Sequence, residues 1–100
     1  MRYQVRIPAE VQDALERLRA ADPVGAKLVV GTIAGLAAAP RPEGVHVLND
    51  SEGLHRIGMS RLDPVTRRTL QYRVLYRIHD DSLVVIVIAV GKLPPAGRRR

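Results

Sequence analysis

The stretch Thr69-Leu70-Gln71-Tyr72-Arg73-Val74-Leu75-Tyr76-Arg77-Ile78-His79 decides the fold, because it alternates without a break. In an extended chain, Leu70, Tyr72, Val74, Tyr76 and Ile78 fall on one face and Gln71, Arg73, Leu75, Arg77 and His79 on the other. Burying an unpaired guanidinium is far costlier than burying Leu or Val, so the even-numbered face is expected to meet a core and the odd-numbered face to stay open. Asp80-Asp81-Ser82 is a turn signal, and Leu83 to Gly91 is a β-branched run that reads as the next strand. On the other side, Leu54 to Ser60 reads as the preceding strand. A loop from Arg61 to Arg68, with Asp63-Pro64 as its turn, joins it to Thr69.

Working towards the N-terminus, Val45 to Leu48 is a short segment leading into the turn Asn49-Asp50-Ser51-Glu52-Gly53, and Ala39 to Gly44 is a Pro-rich loop. The spacing before that loop is helical. Val11, Ala14, Leu15 and Leu18 mark one helix from Ala9, with Glu10 and Asp13 near its start and Arg17 and Arg19 near its end, as the helix dipole favours. Asp22-Pro23 closes that helix and opens a second from about Val24 to Ala38, with Leu28, Thr32, Ile33 and Leu36 as its stripe. Arg2 to Ile7 alternates, with Tyr3, Val5 and Ile7 inward, and stops at Pro8. The expected class is α+β: an N-terminal strand, a two-helix hairpin, then a three-stranded antiparallel meander, with the helices packed on one face of the sheet. One domain is expected over residues 1–93, followed by a flexible basic tail over 94–100.

At 100 residues the chain has room for one core, built from Val, Leu, Ile and Ala because Phe and Trp are absent. The lack of Cys excludes disulfides, thiolate metal sites and thiol catalysis. No carboxylate cluster has metal-ligand spacing, and Asp80-Asp81 is explained as a turn, so neither metal nor cofactor is expected. The longest apolar run, Leu83 to Val90, is strand-sized, which points away from a membrane span and to a cytoplasmic location. Sixteen Lys plus Arg against ten Asp plus Glu give a formal charge of +6. The cations are nearly all Arg, which forks phosphate with paired hydrogen bonds, so a polyanionic partner is expected.

Turn lengths give an expected register. Closing the first hairpin with Ser60 opposite Thr69 sets Arg56 opposite Arg73. Closing the second with His79 opposite Leu83 sets Ala89 opposite Arg73. The open face would then carry a basin with Arg56 and Arg73 side by side over small residues, and Lys92 at its edge. Like charges in a cross-strand pair are destabilising unless an anion lies between them, which points to a phosphate site. Leu75, Val85 and Val87 share that face with Arg77 and make it too apolar for bare solvent. Two covers fit: the chain's own loops or tail, or a partner segment whose acidic stretch is drawn by Arg61, Arg67 and Arg68. Of the histidines, His79 is too far along its strand from Arg73 to serve the same phosphate, His55 points away from Arg56 and reads as a core or edge residue, and nothing fixes His46, which falls in a loop.

Gln71-Tyr72-Arg73-Val74-Leu75-Tyr76-Arg77-Ile78, the acidic turn Asp80-Asp81, and Val84 to Val90 closing in Gly91-Lys92 together resemble the RelE/ParE toxin superfamily. Pro40-Arg41-Pro42-Glu43-Gly44 and Gly53-Leu54-His55-Arg56-Ile57 extend the resemblance over nearly the whole chain. It implies the toxin of a type II toxin–antitoxin pair, neutralised by an acidic antitoxin protein and meeting operator DNA only through that complex. RelE-type members cut mRNA on the ribosome, by attack of the ribose 2′-hydroxyl on the adjacent phosphate; ParE-type members inhibit DNA gyrase. By the resemblance Arg73 and Arg56 are the catalytic cations. Lys92, Arg61, Arg67, Arg68 and Arg77 are expected to bind RNA, and Leu75, Val85 and Val87 to bind antitoxin. The sequence departs from the family pattern at Gly58, where a further basic residue stands in the family, and at Leu93 and Pro94, with no Tyr in the segment that follows. A general acid or base is therefore not supplied by the resemblance, and three readings stay open: endonuclease, binding toxin, and a relative acting only through antitoxin and operator.

Overall fold

Pro8 ends the first strand and starts the first helix: its carbonyl accepts from the Val11 and Gln12 amides, and Gln12 donates its side-chain amide back to the Ile7 carbonyl at 2.8 Å. In the computed structural model, which describes residues 2–94, the elements are β1 (Gln4–Arg6), α1 (Ala9–Ala21), α2 (Pro23–Gly35), β2 (His46–Asn49), β3 (Leu54–Leu62), β4 (Thr69–His79) and β5 (Val84–Lys92). The helix hairpin turns at Asp22, which accepts from the Gly25 amide at 2.9 Å as an N-cap, with Pro23 in the first helical turn. No helix of the described residues is long and apolar enough to cross a membrane.

The sheet order is β1-β5-β4-β3-β2, with β1 parallel to β5 and every other pair antiparallel. The expected class and element order are present, with one strand more than expected. Val45 to Leu48 was expected only as a connecting segment; its downstream part forms β2 and adds an outer strand to the meander. That strand is exposed along its whole length, so no burial pattern could announce it. The part of the expected basic tail from residue 95 onwards lies outside the described residues.

Both helices cover one face of the sheet, α1 against β5 and α2 against β4 and β3. Val11, Val29, Ile33 and Leu36 meet Ile57, Tyr72, Val74, Tyr76, Ile78, Val85 and Val87 in a single core. Each such aliphatic side chain stabilises the fold by about 1.5–3 kcal/mol when fully buried. The even-numbered residues of β4 are the buried set, as their alternation requires. The expected stripe meets the core at Leu28, Ile33 and Leu36 and is widened by the buried Gly25, Ala26 and Val29, while Thr32 is half-buried and returns its hydroxyl to the Leu28 carbonyl. Gly53 sits at φ +68° where β3 starts against β4, and a Cβ there would collide with the Ile78 carbonyl oxygen. Only glycine fits that position.

Candidate nucleic-acid interface

β3 continues to Leu62, two residues beyond Ser60, so the first hairpin closes with Leu62 opposite Thr69. The turn is held by Asp63, whose carboxylate accepts from the Val65 amide and the Thr66 hydroxyl while its own amide donates to the Arg68 carbonyl. Those contacts hold the Asp63 carboxyl below its ordinary range, the Val65 amide contributing most. The consequence is a register two residues away from expectation. Arg73 faces Gly58, and Arg56 faces Leu75. An even slip keeps each side chain on its face, so both arginines remain on the open side as diagonal neighbours, about 7–8 Å apart at Cα by the usual geometry. Neither makes an ion pair within the described residues, although Arg56 is half-buried.

Across β5 the pairing is Arg73 with Gly91 and Leu75 with Ala89. Gly58 and Gly91 flank Arg73 on either side, so the backbone beside it is bare. A groove of about 490 Å³ follows, lined by His46, Arg56, Gly58, Ser60, Gln71 and Arg73 among others. A second depression shares Arg56 and Arg73 and runs over Leu48, Leu75 and Ala89. No Asp or Glu lines either one.

His46 is the site residue that sequence reading missed. It was placed in a loop, but β2 sets it directly opposite Arg56, on the same face of the sheet. The signal available was the alternation of His46 with Val47, too short to be decisive. His79 is exposed at the far end of β4, as expected. His55 is fully buried, its Nδ1 2.8 Å from the Gly53 carbonyl and its ring stacked on Tyr76 at 5.7 Å, so it has no part in the groove.

Several expected partners of RNA or antitoxin lie elsewhere. Val85 and Val87 are fully buried in the core. The second hairpin closes with His79 opposite Val84, one residue from expectation, and this odd slip turns both valines inward; a bulge after Val87 then restores parity, so Ala89 and Gly91 face outward. Leu75 is half-buried on the open face, where Ile86 and the exposed Ile88 are its apolar neighbours. Arg61 pairs with Leu70 and Lys92 with Tyr72, which puts both cations on the helix side. There they close on Asp22, Arg61 at 2.7 Å and Lys92 at 3.1 Å. Arg77 is on the open face but hydrogen-bonds the Glu52 carbonyl at 3.0 Å and its carboxylate at 3.3 Å. Arg67 and Arg68 are exposed in the β3–β4 turn, Arg67 at φ 63°.

Asp22 is a buried carboxylate with four donors: the Tyr72 hydroxyl, the Gly25 amide, Lys92 and Arg61. Burial alone pushes its carboxyl up, but those hydrogen bonds together outweigh burial and hold it well below the usual range. Burial, then the hydrogen bond to Asp22, raises the Tyr72 hydroxyl in turn. Gly25 permits this approach, because a Cβ there would collide with the Tyr72 hydroxyl.

No protein-family model and no curated protein matches the chain. Among solved structures, an arginine double mutant of the E. coli toxin RelE in the free state superposes with a TM-score of 0.62 at 19% identity, covering 91% of this chain and 83% of that one. RelBE2, a toxin–antitoxin complex from Mycobacterium tuberculosis, contains a chain that matches with a TM-score of 0.65 at 23% identity, over 93% of this chain and 100% of that chain. The archaeal RelE–RelB complex from Pyrococcus horikoshii gives 0.55 at 21%, over 99% and 100%. The chain has the RelE-like toxin fold. In this RelE-like frame the groove with Arg56, Arg73 and His46 lies on the face that the helices leave open.

Proposed function

We propose that this RelE-like chain is the toxin of a toxin–antitoxin pair and acts as a ribosome-dependent mRNA endonuclease. One observation carries the reading: Arg56 and Arg73 lie diagonal to each other on the open face without an ion pair among the described residues, with glycine on both sides of Arg73 and no carboxylate lining the groove. Two guanidiniums placed so are held apart by repulsion until an anion bridges them, and a phosphodiester supplies the oxygens for both. As the 2′-hydroxyl attacks, charge grows on the phosphoryl oxygens, and fixed cations stabilise that charge more than they stabilise the ground state. Arg67 and Arg68 add exposed positive charge at the β3–β4 turn, where RNA entering the groove passes. Two of the similar structures are complexes of a toxin with an antitoxin. An antitoxin for this chain would lay an apolar, acidic segment over Leu75, Ile86 and Ile88, beside Arg56 and Arg73.

A binding toxin that blocks a target without chemistry is the second reading. It is favoured by the withdrawal of Arg61 and Lys92 to Asp22, which leaves the groove with fewer cations than the sequence offers. Brief induction of the chain in bacterial cells, with transcript 5′ ends mapped beside Arg73→Ala, separates the two. The endonuclease reading expects new ends inside translated codons that vanish in the variant. Growth arrest without new ends would overturn it in favour of a bound target.

A further inference from the structure

Arg56 and Arg73 can hold and neutralise a phosphate, but a guanidinium does not accept a proton, so they cannot activate the 2′-hydroxyl. The proton acceptor must therefore come from another side chain on the groove. Met59 and Leu93 have none to offer, Gln71 and Ser60 are poor bases at neutral pH, and the Tyr72 hydroxyl is committed to Asp22 on the other side of the sheet. No carboxylate is present. That leaves the His46 imidazole. It is exposed, it stands directly across the β2–β3 ladder from Arg56 at about 5 Å between Cβ atoms, and histidine is the side chain that exchanges protons near neutrality.

We infer that His46 is the general base of the cleavage, a role that rests on the endonuclease reading. A ring nitrogen of His46 takes the proton from the ribose 2′-hydroxyl as O2′ forms its bond to phosphorus. The bond from phosphorus to the 5′-oxygen breaks, and that oxygen takes a proton from water. The hydroxide so formed collects the proton from His46, and nothing is consumed or left over. The products are a 2′,3′-cyclic phosphate and a 5′-hydroxyl. Arg56 sits between His46 and Arg73 across the face, so a phosphate held by the two arginines has His46 as its neighbour on the β2 side.

The test is single-turnover cleavage of mRNA on programmed ribosomes by the full chain, over a range of pH, beside His46→Ala, His46→Gln and Arg73→Ala. His46 is exposed on an outer strand, and His46→Gln keeps its size, so both variants are expected to fold. The expected result is a loss of about 100-fold or more in rate for each His46 variant, with ribosome affinity unchanged. The rising limb of the pH profile disappears in both, and added imidazole restores part of the rate to His46→Ala. A structural role would move neither the profile nor the rescue. Rates within about threefold of the parent, with the same profile, would overturn the assignment while leaving the endonuclease reading intact, provided Arg73→Ala is inactive. Intact mRNA with the unsubstituted chain would overturn both.

Discussion

Asp22 shows how one carboxylate can decide what a basic protein presents to its partners. It pairs with Arg61 and Lys92 on the helix side, at 2.7 and 3.1 Å, and Arg56 and Arg73 are left as the cations of the open groove. Nothing in the spacing of Asp22, Arg61 and Lys92 announces this; strand parity does, once the register is known. Two predictions follow at this scale. Asp22→Asn removes the charge that Arg61 and Lys92 are paired with, and loss of one partner in a buried pair costs about 3–5 kcal/mol. Because Arg61 and Lys92 retain some exposure, the lower end is expected, measured by urea unfolding at neutral pH. The second concerns RNA. Each phosphate contact contributes about 0.7 to the salt slope of single-strand binding. Arg56→Ala with Arg73→Ala should lower that slope by about two contacts' worth, whereas Lys92→Ala should leave it unchanged. An equal fall for Lys92→Ala would mean that Lys92 leaves Asp22 to meet RNA.

At the scale of elements, the legibility of the sequence depended on how much each segment's pattern was tied to burial. β4 was readable because tyrosines, valine and isoleucine alternate with arginines, and no other assignment avoids burying a guanidinium. α1 and the turn at Asp22 were readable from periodicity and Pro23. β2 was not, since its residues are all exposed, and with it went His46. β5 was read as a strand with the right face at Ala89 and Gly91 but the wrong face at Val85 and Val87, because Val84 to Val90 is apolar at every position and alternation says nothing there. The register of the β4–β5 hairpin decides that Val87 is inside and Ile88 outside, and the bulge at Ile88, invisible in composition, then keeps Ala89 and Gly91 on the open face. The prediction is a contrast between neighbours. Val87→Asp should abolish folding, since an unpaired carboxylate cannot be accommodated in the core. Ile88→Asp should change stability by less than about 1 kcal/mol, as surface substitutions do, and weaken capture of an acidic antitoxin. Circular dichroism and thermal melts of the two variants check the first half. Equal damage from both would mean that the β4–β5 register does not hold.

Across the whole molecule, the carboxylates whose protonation is shifted all lie where separate elements meet. Asp22 joins the helix corner to β3, β4 and β5; Asp80 joins the β4–β5 turn to Arg41 and Tyr3, at 2.7 Å and 2.6 Å; Asp63 holds the β3–β4 turn. Arg41 first, then Tyr3, lowers Asp80 to about 2, but Asp80 is exposed and solvent screens most of what that pairing contributes. Asp22 is buried, so its ionisation is the one that matters for the fold. Its folded-state pKa is depressed, so its contribution is fully present above the unfolded carboxylate value of about 3.9 and is lost as pH falls through the folded value. Stability of the parent chain should therefore hold from neutral pH to about 5 and fall below about 4. Asp22→Asn has already lost that contribution and should fall more gently, so the two curves converge as the pH drops. Asp80→Asn should track the parent closely at every pH. Urea unfolding across the pH series reads all three curves. If Asp22→Asn ran parallel to the parent throughout, the corner would be held by packing of Tyr72 against Gly25 rather than by charge.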